Sequence, residues 1–268
     1  MLKNVFLKTL RDQRRSLLFW GIGLVALALY IALFYPTVRD MPQLSDFFQQ
    51  SGQKDVFEAF LGGQLPDFST PTGYLNVELY SLMLPLLMLV FAIGFGSGAI
   101  AGEEEKGTLD FLLANPIPRW QVVAEKFGVM VTALLVLSFV FLVGLVIGAV
   151  TVDMEISYLR LAQATFSTLL VALDFGMVAL FLGCWRGNRG LCIGVSGGLA
   201  AVMYFLNSLA EMVDALKGYR IISPFYHHVT PNVLVNGLDP GHTLVLLGIV
   251  VVLFVASLPV FDRRDIAV

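Results

Sequence analysis

Six apolar runs of about 20 residues each constrain this chain more than any other feature of its sequence. A helix rises about 1.5 Å per residue, so about 20 residues cross the ~30 Å hydrocarbon core of a bilayer. Five runs contain no charged residue, and the sixth contains only Asp174. Charged residues make up 14% of the chain, where soluble proteins have about 25%. We therefore predict an all-α membrane protein with six transmembrane helices, at residues 17–35, 79–101, 127–152, 161–185, 190–210 and 243–261.

Lysine and arginine are distributed unevenly between the segments that connect these helices. Basic residues concentrate in the cytoplasmic loops of membrane proteins. Twelve of the 17 lie on the side that also holds both termini: Lys3, Lys8, Arg11, Arg14, Arg15, Lys106, Arg119, Lys126, Arg186, Arg189, Arg263 and Arg264. The opposite side has only Arg39, Lys54, Arg160, Lys217 and Arg220. We therefore predict that both termini are cytoplasmic.

Residues 1–15 have an amphipathic pattern. Leu2, Val5, Phe6 and Leu10 share one helical face, and five basic residues occupy the other. Such a pattern predicts an N-terminal interfacial helix at the anionic inner leaflet. The alternative is that these charges only fix the topology.

Two outer segments are long enough to carry structure of their own. Residues 36–78 form a mostly polar external loop, and its Gly and Pro residues predict a small subdomain. Residues 211–241 mix three prolines with apolar stretches that are too short to span a bilayer. We expect an outer re-entrant segment there, with its backbone shielded by protein.

The inner loop at residues 102–126 is the most informative segment. Glu103, Glu104 and Glu105 begin a helix, where the helix dipole favours anions. Pro116 and Pro118 then force a turn, and Arg119 restarts a helix that leads into the third span. This helix-turn-helix is either a docking element for another protein or a hairpin that holds two spans together.

The same loop resembles a known family. The Glu-rich start followed by Lys106-Gly107-Thr108, Leu112-Leu113, Asn115-Pro116, Arg119 and Lys126 is similar to the coupling segment of type-2 ATP-binding-cassette (ABC) exporter permeases. The order of the other features is similar to a bacterial branch of that family: the basic N-terminus, the six spans, Thr70 to Asn76 in the first outer loop and Ser223-Pro224-Phe225 in the last.

This resemblance implies a two-protein exporter in the bacterial inner membrane. A separate cytoplasmic ATPase would bind ATP and Mg, and two permease subunits, identical or homologous, would enclose the substrate path. The chain itself has no Gly-x-x-x-x-Gly-Lys-Ser/Thr phosphate loop, so we expect it to bind no cofactor and to be no enzyme. By the same resemblance, the residues in or near the ATPase contact are Glu103, Glu104, Glu105, Gly107, Thr108, Leu112, Pro116 and Arg119.

Polar residues inside the spans are the candidates for the substrate path. Asp174 lies near the middle of the fourth span and Asn207 near the outer end of the fifth. An acid is costly in lipid, so Asp174 faces either a cavity or a hydrogen-bonding helix. An alternative function is an autonomous carrier or membrane enzyme with Asp174 as its functional acid. We expect no metal site, because neighbouring histidines such as His227 and His228 point away from each other.

Glycine pairs at four-residue spacing predict close packing of helices. Glycines four apart place two small surfaces on one helix face, so neighbouring backbones can approach. The pairs are Gly94 and Gly98, Gly98 and Gly102, Gly144 and Gly148, and Gly194 and Gly198. Glycine is common in membrane helices, so no single pair establishes a subunit contact.

Overall fold

The computed structural model describes residues 5–40, 70–110 and 117–264, and within these ranges it contains helices but no strand. The α-helices are α1 (Val5–Arg39), α2 (Pro71–Leu75), α3 (Met83–Ala99), α4 (Ala101–Glu105), α5 (Arg119–Thr151), α6 (Tyr158–Arg186), α7 (Arg189–Met212), α8 (Pro224–Val229), α9 (Val233–Asn236) and α10 (Pro240–Asp262). A π-helical turn, Asn76–Tyr80, lies between α2 and α3, and a 3₁₀-helix, Asp214–Ile222, precedes α8.

Six of these stretches are long and apolar enough to cross a membrane: α1, the Pro71–Ala99 stretch, α5, α6, α7 and α10. The predicted all-α fold with six membrane-spanning helices is therefore confirmed. Large apolar side chains are exposed along the outside of the bundle, for example Leu18, Phe19 and Ile22 on α1. Side chains of this kind on an outer surface are stable against lipid.

Helix α6 is the centre of the bundle. It packs against α3, α5, α7 and α10, and 83% of its most apolar stretch is buried, compared with 22% for α10. Its closest neighbour is α3, because Gly96 and Gly176 face each other at the crossing. A Cβ on Gly96 would collide with the Gly176 carbonyl oxygen, so a small residue is required there.

Helix α1 is one continuous helix of 35 residues, about 52 Å long. There is no break near residue 16, so the amphipathic segment and the first span form one helix. The position of residues 1–15 in the membrane interface stays a prediction, and residues 1–4 lie outside the described ranges.

The helical stretch that overlaps the second predicted span, residues 79–101, begins at Pro71. Helix α2 starts at Pro71, and the Thr70 hydroxyl caps it by accepting a hydrogen bond from the Gly73 amide at 3.2 Å. Proline suits this first helical position because its missing N–H would have no partner there. Of the predicted external loop at 36–78, residues 41–69 lie outside the described ranges.

The segment after α7 is built of short helices that pack on the bundle. His228 of α8 is buried, and its two ring nitrogens contact the Ser167 hydroxyl at 2.8 Å and the Tyr80 carbonyl at 3.0 Å. These contacts join α8 to the second and fourth spans. We call this end of the bundle the His228 end and the opposite end, which carries Lys126, the Lys126 end; the depth of this segment in the membrane stays a prediction.

Candidate functional site

The three consecutive glutamates of α4 each bind a different part of the molecule. The Glu103 carboxylate pairs with Lys126 of α5 at 2.9 Å. Glu104 pairs with Arg264, which follows α10. Glu105 accepts a hydrogen bond from the backbone amide of Arg189, the first residue of α7, at 2.9 Å. Helix α4 therefore connects the third, fifth and sixth spans at the Lys126 end.

Glu103 and Lys126 form the most buried of these contacts. Lys126 is only 2% exposed, and the hydroxyl of Thr108 donates to both the carboxylate and the backbone carbonyl of Glu103. Burial raises the pKa of Glu103, but the Lys126 ammonium and the hydrogen bonds from Thr108 and Lys126 lower it more, so the net pKa is below its ordinary value. Glu103 is therefore ionised and holds α4 against α5.

The pair of Glu104 and Arg264 lies over the end of α6. Arg264 also donates to the Gly183 carbonyl at 3.1 Å. Gly187 ends α6 with a left-handed φ of +64°, and a Cβ there would collide with both Arg264 and Glu104. Glycine is required at this position by its backbone conformation and by the ion pair next to it.

Arg119 caps the C-terminus of α10. Its guanidinium donates to the carbonyl oxygens of Phe261 at 3.4 Å, Asp262 at 3.2 Å and Arg264 at 2.7 Å. The last carbonyls of a helix lack intrahelical partners, and a cation satisfies them. Arg119 therefore has a structural role, and its contact with an ATPase stays a prediction.

The exposed residues of the 102–126 segment differ from the set predicted from the sequence. Gly107 follows α4 in a left-handed conformation and is exposed, whereas Leu112 and Pro116 lie outside the described residues. The sequence set omitted two exposed charges, Lys106 and Asp110, and Trp120, which is 54% exposed. A tryptophan in a charged segment, outside the six apolar runs, is a sequence signal that could have identified this surface.

An apolar groove of about 620 Å³ lies between α3 and α7. Leu86 and Val90 of α3 form one wall, Ile193 and Ala201 of α7 form the other, and Phe225 of α8 contributes at the His228 end. We call this cavity the α3–α7 groove. It is large enough for an organic ligand.

The two residues predicted for the substrate path are buried elsewhere. Asp174 is 1% exposed, and neither of its carboxylate oxygens has a hydrogen-bond partner among the described residues. Asn207 is 3% exposed and accepts a hydrogen bond from Arg220 at 2.9 Å. The residues found around the α3–α7 groove include neither of them. Their role in transport stays a prediction.

The fold and the α4 network define a multi-pass membrane protein in which α4 connects several spans. The family model described as "ABC-2 family transporter protein" matches residues 3–266. The chain therefore belongs to the ABC-2 transporter family, a family of membrane transport subunits that normally work with an ABC ATPase partner. No curated protein sequence matches it.

Proposed function

We propose that the chain is the permease subunit of an ABC exporter in a bacterial inner membrane, with both termini cytoplasmic. Two permease subunits enclose the substrate path, and a separate cytoplasmic ATPase docks on residues 102–126. The ATPase binds and hydrolyses ATP with Mg, and this chain binds no nucleotide. The excess of basic residues at the Lys126 end supports this orientation.

The connection of α4 to three spans is the observation that carries this proposal. Glu103, Glu104 and Glu105 link α4 to α5, to the end of α10 and to the start of α7. A partner that moves α4 therefore also acts on those three helices. Two ion pairs and a hydrogen bond to the backbone transmit such a displacement better than a flexible loop would.

The docking surface consists of the exposed residues that follow α4. Lys106 and Asp110 carry opposite charges, neither makes an ion pair within the described residues, and Trp120 offers a large apolar contact. Aromatic residues and rim charges of this kind determine affinity and orientation at protein interfaces. The α4 glutamates lie behind this surface and position it.

The α3–α7 groove supports the second part of the proposal. Gly94 on α3 and Gly194 and Gly198 on α7 have open space where a Cβ would stand. A second permease facing this side of the bundle would enclose the groove between the two subunits. The substrate path would then run between two copies of α3 and α7.

The test is affinity purification of the chain from native membranes with a search for a P-loop ATPase. We expect an ATPase to co-purify and Lys106→Glu with Asp110→Arg to reduce its recovery by about tenfold or more. Glu155→Arg is the matched control, because Glu155 is exposed at the opposite end. Arg119 is unsuitable for this test, since its replacement would release the end of α10. A preparation without an ATPase, or equal recovery with the double variant, would contradict the proposal.

A carrier that works alone is the second candidate function, and the unpartnered carboxylate of Asp174 favours it. The Asp174→Asn variant separates the two candidates. An ATPase-driven permease keeps its transport, because Asn has nearly the same shape and no hydrogen bond to Asp174 is lost among the described residues. A carrier that relies on Asp174 loses transport and keeps its activity with the Lys106→Glu, Asp110→Arg variant.

A further inference from the structure

The α3–α7 groove adjoins a polar pocket at the Lys126 end. This pocket has a volume of about 410 Å³ and lies between α1, α3, α4 and the start of α7. Gly94 lines both cavities, and Gly98 lines the polar one. Neither glycine has an atom within 4 Å of the place where a Cβ would stand. One elongated molecule can therefore occupy both cavities along the same face of α3.

The polar pocket has an excess of positive charge. The charged residues that line it are Lys8, Asp12, Glu103, Lys106, Lys126 and Arg189. Glu103 and Lys126 neutralise each other at 2.9 Å. Three cations then remain against the single carboxylate of Asp12, and none of these four makes an ion pair within the described ranges. An anion that enters this pocket is attracted by several cations at once.

Arg189 provides the most specific feature of the pocket. Its Nε is buried and has no hydrogen-bond partner among the described residues. The side chain passes over Gly102, where a Cβ would lie 3.6 Å from its Cδ and 3.9 Å from its Nε. A buried guanidinium donor without an acceptor is costly, and phosphate and carboxylate oxygens are the acceptors that suit it.

We propose that the polar pocket and the α3–α7 groove together bind the cargo, and that this cargo is an anionic amphiphile with a phosphate headgroup. The headgroup binds Arg189 and Lys8, and the hydrocarbon tail lies along Gly94 in the groove. Charge complementarity selects the headgroup, and the predominantly apolar groove walls select the tail. This proposal rests on the proposed function, because it names the substrate class of the exporter.

The cavity positions also explain how such a molecule enters. The basic residues of α1 lie at the same end of the bundle as the pocket, and basic helices attract anionic lipids of the inner leaflet. A lipid that reaches Lys8 keeps its headgroup among cations while its tail moves from the bilayer into the groove. The charged headgroup then does not enter an apolar region, and the hydrocarbon tail does not enter water.

Native mass spectrometry of the detergent-purified full chain tests this proposal. The probes are phosphatidic acid, phosphatidylcholine with the same acyl chains, and inorganic phosphate. We expect phosphatidic acid to be retained about tenfold better than phosphatidylcholine, a difference of about 1.4 kcal/mol. Equal retention of the two lipids would overturn the proposal. Binding of inorganic phosphate as tight as that of phosphatidic acid would also overturn it, because the tail would then contribute nothing and the pocket would be a site for free phosphate.

Two pairs of variants locate the bound lipid. Lys8→Gln with Arg189→Gln should reduce retention of phosphatidic acid by about tenfold or more, whereas Arg263→Gln, at the same end but outside the pocket, should not. Gly94→Phe should block the groove, whereas Gly23→Phe on α1, which also has open space, should not. Equal losses in the charge variants and in Arg263→Gln would show attraction by the whole basic end. Equal losses in the two phenylalanine variants would show that the groove does not hold the tail. Either result would overturn the proposal.

Two further readouts separate this proposal from its alternatives. If Gly94→Phe abolishes the mass peak of a dimer and leaves lipid retention unchanged, a second subunit fills the groove in place of the lipid tail. An ATPase that co-purifies with a chain that does not select phosphatidic acid overturns the amphiphile proposal alone. Selective lipid retention without any ATPase partner overturns the proposed function instead.

Discussion

Glycines at four-residue spacing occur in two helix pairs, α1 with α5 and α3 with α7. The two sets of glycines have different neighbours. Gly144 and Gly148 of α5 contact α1, and a Cβ on Gly148 would stand only 2.5 Å from the Ala32 Cβ. Gly194 and Gly198 of α7 face open space. The first pair holds two spans of one subunit together. The second leaves a surface that is free for a ligand or a second subunit.

The charges at the Lys126 end show a similar difference. Glu103 and Lys126 form a buried ion pair between α4 and α5, and both also line the polar pocket. Arg189 lines the same pocket, and its Nε has no partner in the described part of the chain. The pocket therefore combines an ion pair that is already satisfied with a donor that is not.

The largest expected effect comes from breaking the ion pair between Glu103 and Lys126. Glu103→Gln leaves the Lys126 ammonium buried without a counter-charge, which should destabilise the protein by about 3 kcal/mol. Arg189→Gln should change stability by less than about 0.5 kcal/mol, because the Arg189 side chain makes no hydrogen bond or ion pair among the described residues that could be lost. Thermal unfolding of the purified protein, followed by circular dichroism, measures both. Equal effects of the two variants would remove the distinction between paired and unpaired charges.

Leucine substitutions at glycine should give the next largest effect. Gly148→Leu forces α1 and α5 apart and should cost about 1–3 kcal/mol, whereas Gly198→Leu meets no atom and should be neutral or slightly stabilising. The midpoint of thermal unfolding for each variant is the measurement. A neutral Gly148→Leu would show that α1 is not fixed on α5. Loss of a dimer with Gly198→Leu would assign the α7 glycines to a subunit contact.

The smallest expected effect concerns the His228 end, where α8 contributes Phe225 to the groove. His227 Nε2 lies 2.9 Å from the Ile221 carbonyl and so donates to it, which leaves Nδ1 to accept from His242 Nδ1 at 2.9 Å. Protonation of His227 at Nδ1 would break this contact between α8 and α10. Burial lowers the pKa of His227, the Ile221 carbonyl partly offsets this, and the nearby His242 lowers it further.

Because the folded-state pKa of His227 is below 6.5, its neutral form is the one that stabilises the fold. This contribution is complete above pH 6.5 and is lost as the pH falls from 6.5 through the lower folded-state pKa. We expect the unfolding midpoint to fall on acidification across this window. His227→Gln should remove this part of the pH dependence, and an unchanged pH profile would show that the histidine contact has no effect on stability.

Much of the fold could be predicted from the sequence, but less of the site could. Membrane spans depend on the length and polarity of continuous runs, which are local properties. The sequence also indicates that the three α4 glutamates form a group at the start of a helix. Their partners were not recognised, because Glu104 and Arg264 are 160 residues apart and no local pattern links them. The same limit applies to Arg119, whose carbonyl partners lie at the other end of the chain.

The sequence alone determined that this chain is a helical bundle of six spans, because a run of about 20 apolar residues is stable only in lipid. It also determined where the basic residues lie and which loop carries the family resemblance. Only the tertiary structure decided which glycines are covered, which charges are paired and where a groove remains. Spacing along a helix fixes which residues share a face, but the neighbour that packs on that face is set by the whole bundle.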